Sequence, residues 1–176
     1  MIEGQWVTID YSRQEDLAKI VHSEWVTSKT SSLTLDLMQS MAKLENHQSW
    51  TIRDMNTGAF VGHFFVKHDK CECRRCKRPT YTLIRLFIDP YYRRRGIALR
   101  VLAHMRTMVE ATTTQGKQTG FEYFANEYEL PSQLLLRKAG WVCVKQIQRK
   151  GELLYKFTHT VYGKLQPVVE QQCQGK

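Results

Sequence analysis

The sequence lacks any long apolar run, and its hydrophobic stretches fall well short of the roughly 20 residues that a membrane-spanning helix needs. Proline is scarce, at 4 residues, and neither an internal repeat nor a linker interrupts the chain. Acidic residues are also few: 17 Asp and Glu stand against 26 Lys and Arg, which leaves a formal net charge of +9. This excess favours polyanionic partners, such as a phosphate-bearing molecule, a nucleic acid or an acidic protein surface.

Cysteine does not form the pattern of a disulfide framework. The five cysteines are an odd and clustered set, which argues against a secreted disulfide-rich scaffold. Residues 1–4 do not show the basic and then apolar character of a secretion signal. We therefore expect a cytoplasmic protein with no membrane association.

Length and hydrophobic periodicity predict one domain. The 176 residues, 42% of them hydrophobic, suffice for a single domain with its own core, which we place at residues 1–165 with a flexible tail at 166–176. Ser12 and Glu15 have capping-box spacing before an amphipathic first helix. The predicted elements follow in the order strand (5–11), helix, helix (35–44), strands (49–55, 59–67, 81–88), helix (from 94–96), strand (120–125), helix (131–139) and strands (141–148, 153–161).

The segment from Leu83 to Ala98 is the most informative part of the sequence. It has the pattern of an apolar strand, a terminating Pro90, a basic turn that contains Gly96, and the first turn of a helix. A helix that begins directly after a strand presents free N–H groups and its positive dipole end, which suit phosphate. Gly96 and Ala98 have little or no side chain, so a diphosphate can approach the backbone. A solvated basic turn is the simpler alternative.

Residues 88–98 resemble the acetyl-CoA loop of the GCN5-related N-acetyltransferases, the GNAT family. In that loop an apolar residue, any residue and Pro end the fourth strand, and Arg/Gln-x-x-Gly-x-Gly/Ala follows; here Arg93, Gly96 and Ala98 fit it. The resemblance extends over residues 5–162 as an order of elements, but only residues 86–99 match at motif strength. It implies an α/β (α+β) fold with a central mixed, mostly antiparallel sheet flanked by helices, and acetyl-CoA as the cosubstrate.

The same resemblance implies a cofactor site. The backbone of Leu86, Phe87 and Ile88 would bind the pantetheine arm, although an ordinary buried strand would look the same. Main-chain N–H groups would surround the diphosphate in a segment made of Arg93, Arg94, Arg95, Gly96, Ile97, Ala98 and Leu99.

The sequence departs from the family pattern at the acid that protonates the leaving thiolate. Relatives place a Tyr four residues before a Gly-aromatic pair, and an Asn at the start of that helix. Counting back from residues 140–141 puts Leu136 and Glu129 at these positions. Asn126 could hold the pantetheine instead, and Tyr128 or Tyr123 could replace the acid, with packing at a strand end as the alternative for both tyrosines.

The general base is also not supplied by the usual residue. Acetyl transfer needs a neutral amine, so a carboxylate or a water chain must remove a proton first. Thr82 stands where some relatives have a Glu. Glu122, on the next predicted strand, is the best placed replacement, ahead of Glu127 and Glu129. The alternative for each carboxylate is a solvated strand end.

A cysteine-rich turn between the third and fourth predicted strands offers candidate metal ligands. His68, Cys71, Cys73 and Cys76 could supply the tetrahedral N and S donors that zinc prefers, and Cys73 and Cys76 have Cys-x-x-Cys spacing. The single residue between Cys71 and Cys73 and the lack of a second Cys-x-x-Cys pair support the alternative, a cluster of reduced thiols without metal. In both cases the loop is a basic prong that could contact a partner or substrate.

These observations predict an acetyl-CoA-dependent N-acetyltransferase that transfers the acetyl group directly to an amine. The acceptor could be a protein, a small amine or an aminoacyl-RNA. The missing Tyr favours a second hypothesis, a catalytically degenerate GNAT-fold module that binds CoA or interacts with protein or nucleic acid through its basic Cys-rich loop. A dedicated nucleic-acid-binding protein is a third, but the loop lacks the interleaved aromatic residues that single-strand binding uses.

The metal hypothesis makes a direct prediction. If His68 and the three cysteines form a site, protein purified under reducing, chelator-free conditions carries about one zinc per chain, because four donors complete one tetrahedral shell. The metal should leave as the pH falls or when a chelator is added, because binding needs deprotonated thiols. Elemental analysis checks this, and metal-free protein would return the loop to its thiol-only interpretation.

Overall fold

The computed structural model describes residues 7–27, 34–69, 79–113 and 117–162 of the chain. In these residues the order of strands and helices is as predicted, and none of the helices is long and apolar enough to cross a membrane. The predicted tail lies outside the described residues. The elements are β1 (Val7–Tyr11), α1 (Gln14–Thr27), α2 (Leu35–Ala42), β2 (His47–Asp54), β3 (Phe60–Asp69), β4 (Thr80–Ile88), a 3-10 turn (Pro90–Tyr92), α3 (Ile97–Thr112), β5 (Gln118–Asn126), α4 (Leu130–Lys138), β6 (Val142–Arg149) and β7 (Glu152–Tyr162).

The strands form one sheet in the order β1-β2-β3-β4-β5-β7-β6. Neighbouring strands are antiparallel except for β4 and β5, which are parallel. The parallel ladder is short, because its last Cα partners are Thr82 and Glu122. Beyond this pair β4 continues to Ile88 and β5 to Asn126 without pairing to each other, so the two strands diverge.

Two hairpin turns form where glycine was expected to permit them. In the β2–β3 turn the carboxylate of Asp54 accepts hydrogen bonds from the N–H groups of Asn56 and Thr57, both at 2.9 Å, and Gly58 has a φ of 69°. In the β6–β7 turn Lys150 and Gly151 have φ values of 50° and 83°. Two successive positive φ angles are typical of a two-residue hairpin turn, because that turn matches the right-handed twist of the flanking strands.

The start of α1 differs from the predicted capping box. The Ser12 hydroxyl lies 2.7 Å from the Thr51 hydroxyl of β2 and accepts from Ser49, instead of capping the helix. The N–H of Arg13 is bound by the carboxylate of Asp16 at 2.8 Å. The hydrogen bonds from Ser12 to β2 therefore replace the predicted cap. Asp16 instead accepts a hydrogen bond from one of the free N–H groups at the start of the helix.

Helices cover the two faces of the sheet, which we name after them. The α3 face packs against α3 and α4 and holds the larger core; the α1 face packs against α1 and α2 over a smaller one. The main buried residues of the α3 face are Trp50, Ile52, Phe64, Leu83, Val101, Met105, Phe121, Leu136 and Phe157. Those of the α1 face are Leu17, Ile20, Met38 and Phe65.

A bulge in β4 changes which residues point to each face. Phe65 of β3 pairs with Arg85 and the next residue pairs with Leu83, so Ile84 is the extra, unpaired residue. Leu83 before the bulge and Leu86 after it both pack in the α3-face core, whereas strict alternation would send them to opposite faces. Arg85 is consequently directed to the α1 face, where it meets helix α1.

Candidate active site

The divergence of β4 and β5 opens a cavity of about 280 Å³ on the α3 face. Its walls come from β4, from the first turns of α3, from Tyr123 of β5 and from α4. Because β4 has no strand beside it here, its backbone N–H and C=O groups on the β5 side have no ladder partner and must bond elsewhere. The lining residues are Leu83, Leu86, Phe87, Ile88, Arg93, Ala98, Leu102, Tyr123, Pro131, Ser132, Leu135 and Leu136.

A second cavity of about 510 Å³ lies at the N-terminus of α3 and shares part of its wall with the first. Ile88, Arg93 and Ala98 line both, so the two form one groove from the helix end to the strand divergence. The first intrahelical bond of α3 is from the N–H of Arg100 to the carbonyl of Gly96, which leaves the preceding amides free of helical partners. Lys138 of α4 adds a positive charge on the opposite wall.

The turn that leads into α3 has the geometry of an anion site. Gly96 caps the helix with a φ of 77°, and a Cβ placed on it would have no atom within 4 Å in the described part of the chain. The space in front of the Gly96 backbone is thus open, and the predicted approach of a diphosphate to it stays a prediction. Arg94 also has a positive φ, of 64°, a conformation that is strained for a side-chain-bearing residue and recurs at binding sites.

The three arginines of the motif have different environments. Arg93 donates from Nε to the carbonyl of Ile88 at 2.8 Å and lies over the Phe87 ring, so it fastens the turn to the end of β4. Arg94 lines the second cavity. Arg95 lies over the rings of Tyr91 and Tyr92, at 5.2 and 5.6 Å from their centroids, and does not line either cavity.

The other predicted cofactor residues are distributed along the same groove. Leu86, Phe87 and Ile88 line the first cavity, whereas Gly96, Ile97, Ala98 and Leu99 line the second. Asn126 lies apart from both. Its side chain accepts a hydrogen bond from the N–H of Tyr128 at 3.0 Å, and its carbonyl accepts from Gln133, so it stabilises the turn into α4.

The two candidate tyrosines lie in opposite environments. Tyr123 is half-buried in the first cavity beside Ser132, and its hydroxyl donates a long hydrogen bond of 3.4 Å to Glu129. Burial, followed by the negative charge of Glu129, raises the pKa of Tyr123 to about 12. Tyr128 is 82% exposed and lines neither cavity, and a hydrogen bond with Glu127 raises its pKa. Of the two, only Tyr123 faces the groove.

Glu122 lies on the face opposite the groove. Phe121 and Tyr123 point to the α3 face, so Glu122 and Phe124 point to the α1 face by strand alternation. The carboxylate of Glu122 forms an ion pair of 2.6 Å with Lys156 of β7, and both side chains are about three-quarters buried, at 21% and 26% exposure. Glu122 is the last β5 residue that pairs with β4, and it therefore stands where the strands begin to separate.

Three of the predicted zinc ligands, Cys71, Cys73 and Cys76, lie outside the described residues. His68, at the end of β3, stacks on Tyr81 with ring centroids 4.2 Å apart. Among the described residues no cluster of His, Cys, Asp and Glu has the arrangement of a metal site. The zinc site remains a prediction.

Sequence reasoning missed the residues that α4 contributes to the groove, including Pro131, Ser132 and Lys138. The only available signal was the basic last turn of α4, which also has a local explanation as a partner of the helix dipole. It also missed a charged cluster on the α1 face, made of Glu24, His63 and Arg85, because its members come from three separate elements.

Comparison with known proteins shows similarity in structure. Neither a protein-family model nor a curated protein sequence matches this chain. NAA60 of Arabidopsis thaliana, in complex with a bisubstrate analogue, matches with a TM-score of 0.71 and 14% identity over 90% of this chain and 99% of that chain. A ribosomal-protein-alanine N-acetyltransferase of Escherichia coli matches with a TM-score of 0.71 and 13% identity over 90% and 96%.

An acetyltransferase of the GNAT family from Streptococcus pneumoniae matches with a TM-score of 0.65 and 16% identity, over 88% of this chain and 99% of that chain. The fold is therefore that of the GCN5-related N-acetyltransferases, as the motif resemblance implied. At such identities the similarity establishes the fold and does not establish the reaction.

The open space at Gly96 generates a prediction about ligand binding. Gly96→Trp should abolish measurable acetyl-CoA binding, because the new side chain fills the space in front of the α3 amides. Gly58→Trp is the matched control, since Gly58 also has a positive φ and open surroundings but lies in the β2–β3 turn. Isothermal titration calorimetry of both variants checks this; equal, wild-type affinity in both would rule out the site.

Proposed function

We propose that the protein is an N-acetyltransferase that binds acetyl-CoA in the groove and transfers the acetyl group directly to an amine acceptor on a protein or an RNA. The observation that carries this proposal is the open inner edge of β4, which begins where pairing with β5 ends at Thr82 and leads without interruption to the N-terminus of α3. The sequence-based expectation of a cytoplasmic location forms part of the same proposal.

The groove offers separate groups for the separate parts of the cofactor. The diphosphate would bind the free amides of residues 97–99, with Arg93, Arg94 and Lys138 neutralising its charge. The pantetheine arm contains amide groups, and it would lie along Leu86–Ile88 as a substitute for the missing neighbouring strand. This places the thioester close to the bulge at Ile84, where β4 and β5 separate.

Tyr123 is the group best placed to assist the leaving thiolate. A pKa of about 12 keeps its hydroxyl protonated at physiological pH. An ordinary thiol has a pKa of about 8.5, so complete proton transfer from this phenol to a thiolate is unfavourable. We therefore assign Tyr123 as a hydrogen-bond donor that stabilises the developing negative charge on sulfur, a role that needs only a fixed O–H group in a protected site.

Glu122 is the candidate base. It lies on the α1 face, opposite the groove, and it is adjacent to the point of divergence. The ion pair with Lys156 holds the carboxylate in place, and a carboxylate can accept a proton from an incoming ammonium directly or through water. The two assignments put proton removal and thiolate stabilisation on opposite faces of the sheet.

A non-catalytic CoA-binding module is the competing hypothesis, favoured by Leu136. The Leu136 side chain is 2% exposed and belongs to the core, so it supplies no acid at the position where the family has Tyr. Calorimetry with acetyl-CoA, combined with mass spectrometry of amine-bearing peptides incubated with it, separates the hypotheses. Binding with acetyl transfer supports the enzyme, binding without transfer supports the module, and no binding excludes both.

For the enzyme, Tyr123→Phe should lower kcat by about 10²-fold while acetyl-CoA affinity is retained, because one hydrogen bond to the leaving sulfur is lost. Tyr128→Phe removes the same atom from an exposed side chain and should stay within about twofold of wild type. Steady-state kinetics of both variants decide the assignment. A larger loss in Tyr128→Phe would transfer the role to Tyr128.

Glu122→Gln should reduce the rate at neutral pH more than Glu127→Gln, since Glu127 is exposed in the turn after β5. Lys156→Met provides the control for the ion pair: it breaks the pair but leaves the carboxylate. If Lys156→Met lowers the rate as much as Glu122→Gln does, the pair is structural. If Glu122→Gln and Glu127→Gln both keep wild-type rates, Glu122 is not the base.

A further inference from the structure

A buried charged cluster joins α1 to the middle of the sheet beside the candidate active site. Glu24 of α1 is 6% exposed. One of its carboxylate oxygens lies 2.9 Å from Nε2 of His63 on β3, and the other accepts a hydrogen bond of 2.7 Å from Nη1 of Arg85 on β4. The cluster therefore connects three elements through a single carboxylate.

The histidine of this cluster is deeply buried. His63 is fully buried among the rings of Phe60, Phe65 and Phe87, whose centroids lie 5.4–6.4 Å from its own. Burial lowers the pKa of His63 despite the nearby carboxylate. A lowered pKa favours the neutral form of the ring, which does not balance the charge of Glu24. The guanidinium of Arg85 balances the negative charge of Glu24. The ion pair with Glu24 consequently fixes the position of the guanidinium.

Arg85 stands at the opening between β4 and β5. It follows the bulge at Ile84 and points to the α1 face, and its side chain is 32% exposed although its partner is buried. Only Nη1 has a hydrogen-bond partner within the described ranges, so the edge formed by Nε and Nη2 is available. That edge presents two parallel N–H donors, the arrangement that binds a carboxylate at both of its oxygens.

The opposite side of the opening carries a second cation. Phe124 of β5 lies on the α1 face, and Lys156 sits over its ring at 5.7 Å while it pairs with Glu122. An acceptor that enters here meets a positive group on each side. Because Glu24 and Glu122 balance these two cations, a polycationic amine gains no interaction here, whereas an amine that carries a carboxylate gains hydrogen bonds from the guanidinium edge.

We propose that Arg85, held in place by Glu24, determines specificity by binding a carboxylate next to the amine of the acceptor. The proposal rests on the acetyltransferase function inferred above. It adds a substrate class, amines with an adjacent carboxylate such as acidic peptide N-termini, and it excludes polyamines. Arg85 is a binding residue, and Glu24 is a positioning residue that acts through it.

The test uses matched peptides with one free α-amine that differ only by Glu or Gln at the first or second residue, with spermidine as a polycationic probe. Of the two Glu peptides, wild-type protein should acetylate the better one at least tenfold more efficiently than the Gln peptide with the same substitution site, and the difference should lie in KM. It should also acetylate both of these peptides more efficiently than spermidine. Arg85→Gln should bring the Glu/Gln ratio to about one. Arg85→Lys should retain part of the preference, since it keeps the charge but not the paired donors.

Three further variants make the result specific. Glu24→Gln should raise KM for the Glu peptide with little change in kcat, which a general loss of structure would not do. Because Arg85→Gln removes the cation beside the buried Glu24, the double variant Glu24→Gln/Arg85→Gln replaces it if the single variant does not fold. Arg106→Gln, which removes an exposed Arg of α3 paired with Glu110, should keep the wild-type ratio.

A wild-type ratio near one, a preference for spermidine, or an unchanged ratio in Arg85→Gln would overturn the proposal. If acetyl-CoA binds but no peptide is acetylated, the enzymatic function fails, and the proposal is then judged by calorimetry of the same peptides with CoA-saturated protein. A tenfold tighter Kd for the Glu peptide that disappears in Arg85→Gln would support carboxylate recognition. Equal Kd values, or no binding of either peptide, would refute it.

Discussion

The structure depends on one interruption of backbone pairing, the end of the parallel ladder between β4 and β5 after Thr82 and Glu122. A central strand normally has hydrogen-bond partners on both sides, and β4 loses one set after the first third of its length. Its other side stays paired with β3 up to Ile88, and Gly62 permits this close contact, since a Cβ there would lie 2.3 Å from the carbonyl of Phe87. The half-paired strand is thus rigid and still able to bind an amide-containing ligand.

Charge is arranged differently on the two sides of this opening. In the groove of the α3 face, Arg93, Arg94 and Lys138 surround a helix N-terminus with no nearby carboxylate among the lining residues, which suits a polyanion. On the α1 face each cation has a carboxylate partner, Glu24 for Arg85 and Glu122 for Lys156. Paired cations attract an anion less strongly but are held in place, so this face is suited to discrimination between acceptors.

Under the proposed function, the chemistry would rest on residues other than those of the family motif. Leu136 fills the position of the family's Tyr with a core side chain, and the hydroxyl that faces the groove comes from Tyr123 on the neighbouring strand. Both positions line the same cavity. Under the proposed function, the donor to the leaving group would come from β5 instead of α4, and the pKa of about 12 for Tyr123 would keep its hydroxyl protonated.

The sequence by itself determined the features that depend on neighbours along the chain. The positive φ angles of Gly58, Gly96 and Gly151, the start of α3 after a proline-terminated strand, and the alternation of the strands follow from local backbone and hydrophobic preferences. Tertiary structure decided the rest. Ser12 bonds to Thr51 instead of capping α1, the bulge at Ile84 turns Arg85 towards Glu24, and Tyr123 rather than Tyr128 faces the groove. Each outcome depends on residues far apart in sequence that approach only when the sheet assembles, and no local pattern encodes that proximity.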